Sequence, residues 1–183
     1  MHDMRTGRIL PPVIAAASLL VAAGCASTAG AGGGDGQGQE VGKPLPKMAV
    51  SRLDGAGEIR FSSLRGKVVL IDIWASWCAP CKEEMPLLDD IARRLRGKVQ
   101  VIAVSIDEER ASARAFLESR PRWSLTLAHD PDGRVPDLLK PPKMPTSYVV
   151  DRKGVVRAIN TGFERGDAAR LEAQLVELSA ESD

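Results

Sequence analysis

An α/β domain built on a mixed sheet flanked by helices is predicted by three features of this 183-residue chain. Apolar, β-branched runs of strand length alternate with segments whose apolar residues recur at helical spacing. Two of those runs, KVVLIDIW (67–74) and VQVIAVSID (99–107), are apolar along nearly their whole length, the pattern of central strands covered on both faces. The last part of the chain then changes to a strand, a tight turn, a strand and a closing helix.

MAVSRLDGAGEIRF (48–61) has apolar ends about Asp54-Gly55 and reads as a short N-terminal hairpin. After the 67–74 strand, Leu87, Leu88, Ile91 and Leu95 define a helix from Pro80 to about Arg96, with Gly97 as its stop. Pro86 removes a backbone donor within it and predicts a kink. The 99–107 strand precedes a helix over ERASARAFLESR (109–120), a strand over WSLTLAHD (123–130) and one helical turn over RVPDLLK (134–140). TSYVVD (146–151) is a further strand, Arg152-Lys153-Gly154 turns into VVRAINTG (155–162), and DAARLEAQLVELSA (167–180) closes the chain as an amphipathic helix. Parallel strands joined by a helix predict a right-handed crossover.

Composition fits a globular domain: 44% hydrophobic and 27% charged residues, with 25 Lys and Arg against 24 Asp and Glu. Without a basic excess, nucleic acid is not an expected partner. The N-terminus has its own character. Arg5 and Arg8 precede an apolar run at 9–23 that is short for a membrane span, which needs about 20 residues, and Pro11 and Pro12 shorten it further. Residues 1–24 therefore read as a signal peptide. LVAAGC (20–25) resembles the lipobox of bacterial lipoproteins, with Ala22 standing where Leu is most usual. That resemblance implies cleavage before Cys25 and its lipidation, hence membrane lipid as a partner. Ordinary cleavage near Ala23 and an uncleaved anchor are the alternatives. Ala26 in place of Asp favours the outer membrane where two membranes exist. Residues 25–40, mostly Gly-rich, then form a flexible tether, and the domain occupies 41–183 on the periplasmic or outer side.

Three cysteines less Cys25 leave one pair, Cys78 and Cys81. Zinc would need four ligands, and only His129 stands beside the pair outside the signal. Covalent haem needs His after the second cysteine, where Lys82 stands. A structural disulfide closing so small a loop removes little chain entropy. Dithiol/disulfide exchange remains, with no cofactor. A helix starting at the motif puts Cys78 at its N-terminus, where free amides and the macrodipole stabilise a thiolate, and Cys81 one turn deeper. Cys78 is thus the expected nucleophile and Cys81 the resolving thiol. Pro80 suits the first turn.

DIWASWCAPCK (72–82) is similar, position by position, to the active-site segment of thioredoxins. CKEEMP (81–86), the N-terminal hairpin and the segment 108–139 resemble the membrane-tethered thiol-disulfide oxidoreductases of the TlpA/ResA type. The resemblance runs from Val41 to the C-terminus and implies a thioredoxin-like fold with an N-terminal β-hairpin and a central insertion. It implies a cis Pro145 in MPT (144–146), with the Met144 backbone free to pair with an extended substrate segment, and Trp77 on the docking rim. Trp74 reads as core. The implied activity is reduction of disulfides in exported proteins, apocytochrome c among them, with electrons from a membrane thiol donor of the DsbD/CcdA type.

Cys81 must lose a proton as it attacks, so a base belongs nearby. Asp72 matches the buried acid of thioredoxins, and burial should raise its pKa; a satisfied polar core residue is the alternative. Glu84 matches the TlpA/ResA glutamate and shares a helix face with Cys81; the alternative is a solvated helix residue. The Lys that accompanies the thioredoxin acid is replaced by Ala103. Two rivals stay open: a peroxiredoxin-like peroxide reductase, although Ala75-Ser76-Trp77 departs from the Pro/Thr-rich loop that chemistry expects, and a non-catalytic binding module of the same fold. Asp107, His129 and Tyr148 show no constellation beyond structural roles.

Overall fold

The computed structural model describes residues 38–119 and 122–181. The predicted signal peptide, Cys25 and most of the tether lie outside the described residues. The described chain runs β1 (Ala49–Arg52), β2 (Glu58–Arg60), a 3-10 turn (Phe61–Leu64), β3 (Val68–Trp74), α1 (Ala79–Arg94), β4 (Val99–Ser105), α2 (Arg110–Leu117), β5 (Thr126–His129), α3 (Arg134–Leu139), β6 (Thr146–Val150), β7 (Val156–Thr161) and α4 (Asp167–Ala180).

One seven-stranded mixed sheet has the order β2-β1-β5-β4-β3-β6-β7. β3 pairs in parallel with β4 and antiparallel with β6, so the two apolar runs lie side by side at the centre. Every residue of β3 is buried, which explains its lack of alternation. Its side chains still alternate in direction. Val68, Leu70 and Trp74 pack with α1 and α4 residues such as Met85, Leu88, Ile91 and Leu175, whereas Val69, Ile71 and Ile73 pack with Phe61, Val135, Leu139 and Tyr148. These two clusters are the two sides of one sheet.

The hairpin lies where its turn signal stands: Val50 pairs with Ile59, and Asp54 Oδ1 accepts the Ala56 amide across the turn. β1, one strand in from the edge strand β2, also pairs with β5, with Ser51 opposite His129. α1 continues unbroken past Pro86 and ends at Leu95, ahead of Gly97, whose φ of +83° is a left-handed conformation natural to glycine. Ahead of β1 the chain is stitched to the domain from Gln39 onward: its amide donates to Leu139 O, and the Gly42 amide to Val156 O.

Candidate active site

The site forms where β3 hands over to α1. The intervening loop is pinned by Asp107, just beyond β4, which accepts the Ser76 amide at 3.0 and 3.1 Å and the Ser76 hydroxyl at 2.6 Å. Ser105 Oγ donates to the same carboxylate at 2.8 Å, and Asp107 O bonds His129 Nε2 at 2.8 Å. The loop is thereby fixed to the ends of β4 and β5.

Cys78 is the N-cap of α1, and Pro80 sits within the first turn. Its Sγ accepts the Cys81 amide at 3.3 Å, and the two sulfurs are joined in a disulfide, with Cα atoms 5.3 Å apart. Cys78 keeps 7% of its surface exposed and Cys81 none. An incoming thiol or disulfide therefore meets Cys78, at the end of the helix where unpaired amides and the macrodipole favour a thiolate.

Asp72 projects to the same side of the sheet as this pair, because Leu70 and Trp74, its neighbours two residues away, belong to the cluster that contains Cys78 and Cys81. The strands on either side place Ala103 and Ser147 in register with it. Ala103 carries no polar group. The Ser147 hydroxyl donates to Asp72 Oδ1 at 3.0 Å. Asp72 is fully buried, and that loss of water pushes its pKa well above the carboxylate range, opposed by the Ser147 hydrogen bond.

Glu84 is buried too, which removes the reading of a solvated helix glutamate. Burial raises its pKa strongly, nearby Asp72 and Asp167 raise it further, and the Ser147 hydroxyl opposes them. Asp72 Oδ2 and Glu84 Oε2 are buried without hydrogen-bond partners among the described residues. Two acids on different elements are thus buried near one another, and the Ser147 hydroxyl is hydrogen-bonded to Asp72 alone.

The Met144-Pro145 bond is cis. Trp77 is 66% exposed beside Cys78, whereas Trp74 is fully buried against Phe116, ring centroids 5.3 Å apart. Neither Ser147 nor the Asp107–Ser76 clamp is marked by a sequence motif. Ser147 lies two residues beyond Pro145, so strand pairing with the 67–74 run would have pointed to it. A pocket of about 660 Å³ lined by Arg52, Leu53, Arg114 and Trp123 contains none of these residues. Among the described residues no group of three or more His, Cys, Asp or Glu is gathered as for a metal ion, and no helix is long and apolar enough to cross a membrane.

Known proteins share this architecture. The model of the AhpC/TSA family matches residues 41–159. The thiol-disulfide oxidoreductase ResA of Oceanobacillus iheyensis is 34% identical over 128 residues, which are 68% of this chain and 64% of that protein. The chain thus spans just under two thirds of that relative's length. The crystal structure of a Chlorobium tepidum protein assigned as thiol:disulfide interchange protein DsbE superposes with a TM-score of 0.73 at 34% identity, covering 78% of this chain and 99% of that one. The exposed lipoprotein thioredoxin Etrx1 of Streptococcus pneumoniae strain TIGR4 gives 0.62 at 25% identity, covering 73% of this chain and 100% of that one.

Proposed function

The chain belongs to the AhpC/TSA family and is a thioredoxin-like thiol-disulfide oxidoreductase, and from that premise we propose that it works outside the cytoplasm, mainly as a reductase of disulfides in exported proteins. The observation that carries this reading is the asymmetry of the pair. Cys78 caps a helix with its sulfur on an amide, while Cys81 is sealed beneath it on the face that holds two buried carboxyls.

The reaction follows from that asymmetry. The Cys78 thiolate attacks a substrate disulfide, forming a mixed disulfide and releasing one substrate thiolate. Cys81 then gives its proton to Asp72 and attacks Cys78 Sγ. The Cys78–Cys81 bond forms, the bond to substrate breaks, and the second substrate thiolate leaves, so two electrons pass from enzyme to substrate. Met144 packs against the cluster that holds the pair and precedes the cis Pro145, and Trp77 offers an exposed ring on which a substrate chain rests.

Renewed turnover needs electrons, which a membrane thiol donor of the DsbD/CcdA type supplies; apocytochrome c is one substrate of suitable chemistry. Residues 1–24 act as an export signal, Cys25 carries lipid, and the residues from it to Gln39, where the chain is hydrogen-bonded to the domain, are the tether, on the outer membrane where there are two. The lipobox-like LVAAGC supports this anchoring, and so does similarity to Etrx1, itself a lipoprotein. Equilibrating the pair with glutathione tests the direction of transfer. A potential near about −270 mV, with insulin disulfides reduced, is expected; a value near about −120 mV would make the protein an oxidant. Turnover of peroxide in place of disulfides would favour the peroxidase alternative.

A further inference from the structure

His129 ends β5, in register with Ser105 of β4 and Ser51 of β1, and is buried. Packing alone gives this position no reason to be a histidine: the ring's Nδ1 is enclosed without a hydrogen-bond partner among the described residues, a cost that an apolar side chain would avoid. What the ring supplies is its other nitrogen. Nε2 lies 2.8 Å from Asp107 O, and a carbonyl oxygen can only accept, so Nε2 carries the hydrogen of that bond.

Every other polar atom of Asp107 is held as well. Its amide donates to Ser105 Oγ at 3.1 Å, its Oδ2 accepts the Ser105 hydroxyl, and its carboxylate takes the Ser76 amide and hydroxyl. Among the described residues His129 is the one partner of its carbonyl. Ser76 stands inside the turn that the Cys78 amide closes on Ala75 O at 3.1 Å, and that turn delivers Cys78 to the N-cap of α1.

We infer that His129 is a positioning residue for the attacking thiol: its Nε2–H fixes the Asp107 backbone, Asp107 fixes Ser76, and the Ser76 turn holds Cys78 Sγ at the amides that open α1. This role rests on the reading of Cys78 as the nucleophile. His129 touches neither sulfur, and no proton passes through it. With its carbonyl released, Asp107 is free to rotate, Ser76 loses its anchor, and the thiolate loses part of the amide field that stabilises it. Reactivity suffers more than folding, because removing the imidazole also removes the unpaired Nδ1.

The test measures alkylation of Cys78 by iodoacetamide at pH 7, read at that residue by mass spectrometry, in the reduced full chain carrying Cys81→Ser. To this chain are added His129→Leu, His129→Gln, Asp107→Asn, or His129→Leu with Asp107→Asn. Leu removes the donor, whereas Gln keeps an N–H at about the reach of Nε2. His129→Leu should slow alkylation about five-fold, the scale of one net hydrogen bond, and His129→Gln should restore most of the rate. His129→Leu should add little once Asp107 is Asn, because it acts through that residue. An unmoved rate in His129→Leu, no rescue by His129→Gln, or losses that multiply in the double variant would overturn the role of His129 while leaving Cys78 as the nucleophile. Nitrogen NMR of the unaltered chain needs no substitution: His129 Nε2 should carry hydrogen, and a bare Nε2 would overturn the role. If Cys78 reacts no faster than an ordinary thiol while His129 is intact, the nucleophile reading falls and the role of His129 with it.

Discussion

Ser147 on β6 and Asp72 on β3 face each other across paired strands, with the serine hydroxyl 3.0 Å from Asp72 Oδ1, and the opposite neighbour of that acid is the methyl group of Ala103. The acid therefore sits between one polar and one inert neighbour. Without a cation on β4, the charged form of Asp72 is held by a single hydrogen bond, and its proton affinity stays high enough to take a proton from a thiol.

Asp72→Asn is expected to slow single-turnover disulfide reduction near neutral pH by about 10²-fold, the scale of losing a positioned base. Glu84→Gln should cost about ten-fold or less, since it lies further along the helix and further from the sheet centre. Stopped-flow measurement of both variants decides the order. Equal or reversed losses would overturn Asp72 as the dominant base.

The same acids set a pH dependence of stability. Both carboxyls have folded pKa values raised above their unfolded ones, chiefly by burial, so between those values the folded protein binds more protons than the unfolded chain. Stability is then complete below about pH 4, where the unfolded carboxyls are protonated, and falls as pH rises through the raised folded values. Each group contributes a slope of at most about 1.4 kcal/mol per pH unit. Urea unfolding of the oxidised protein from pH 4 to 9 should show this decline, and Asp72→Asn should flatten it and be more stable than the parent at pH 8. A flat profile in the parent would contradict the burial account.

Much of the fold and of the site is legible in the residues alone. The continuous apolar runs at 67–74 and 99–107 identify central strands because both faces are covered, and the register puts Asp72 beside Ala103 as expected from sequence. The helix expected over 109–120 is shorter, Arg110–Leu117, and the 3-10 turn at Phe61–Leu64 has no signal of its own. Pairing between segments distant in sequence is what stays hidden. Ser147 lies 75 positions from Asp72 and Asp107 lies 31 from Ser76, and neither contact leaves a periodic trace. Burial of Glu84 is likewise invisible, because a glutamate on an amphipathic helix reads the same whether its face meets solvent or α4.

Asp107 should matter for the loop rather than for proton transfer. It accepts the Ser76 amide and hydroxyl and the Ser105 hydroxyl, so Asp107→Ala leaves three donors without their acceptor. A loss of about 3 kcal/mol in unfolding free energy is expected, from charged hydrogen bonds within a buried network. The alkylation rate of reduced Cys78 should change as well, since Ser76 lies two residues before it. Unchanged stability and alkylation would mean that the loop is held by its packing alone.

Trp77 is a large apolar ring left 66% exposed, and its removal should cost little stability, within about 0.5 kcal/mol. As an aromatic anchor it should matter to extended substrates instead. Trp77→Ala is expected to raise KM for a protein disulfide about ten-fold, with a smaller loss on a small aromatic disulfide. Equal losses on both would place its effect on the sulfur chemistry.

The unequal exposure of the two cysteines makes the last expectation the most direct. Cys78 reaches solvent and Cys81 does not, so substrate must first bond to Cys78, and release must await Cys81 from below. Cys81→Ser removes the resolving thiol but keeps the Cys78 sulfur at the helix N-terminus. This variant should accumulate as a mixed disulfide with substrate protein, seen as a mass increase that reductant reverses. Cys78→Ser should trap nothing under the same conditions, because the remaining thiol is buried, and Asp72→Asn in the otherwise unaltered chain should prolong the mixed disulfide without making it permanent. Trapping through Cys81 in the Cys78→Ser variant would reverse the roles of the two thiols.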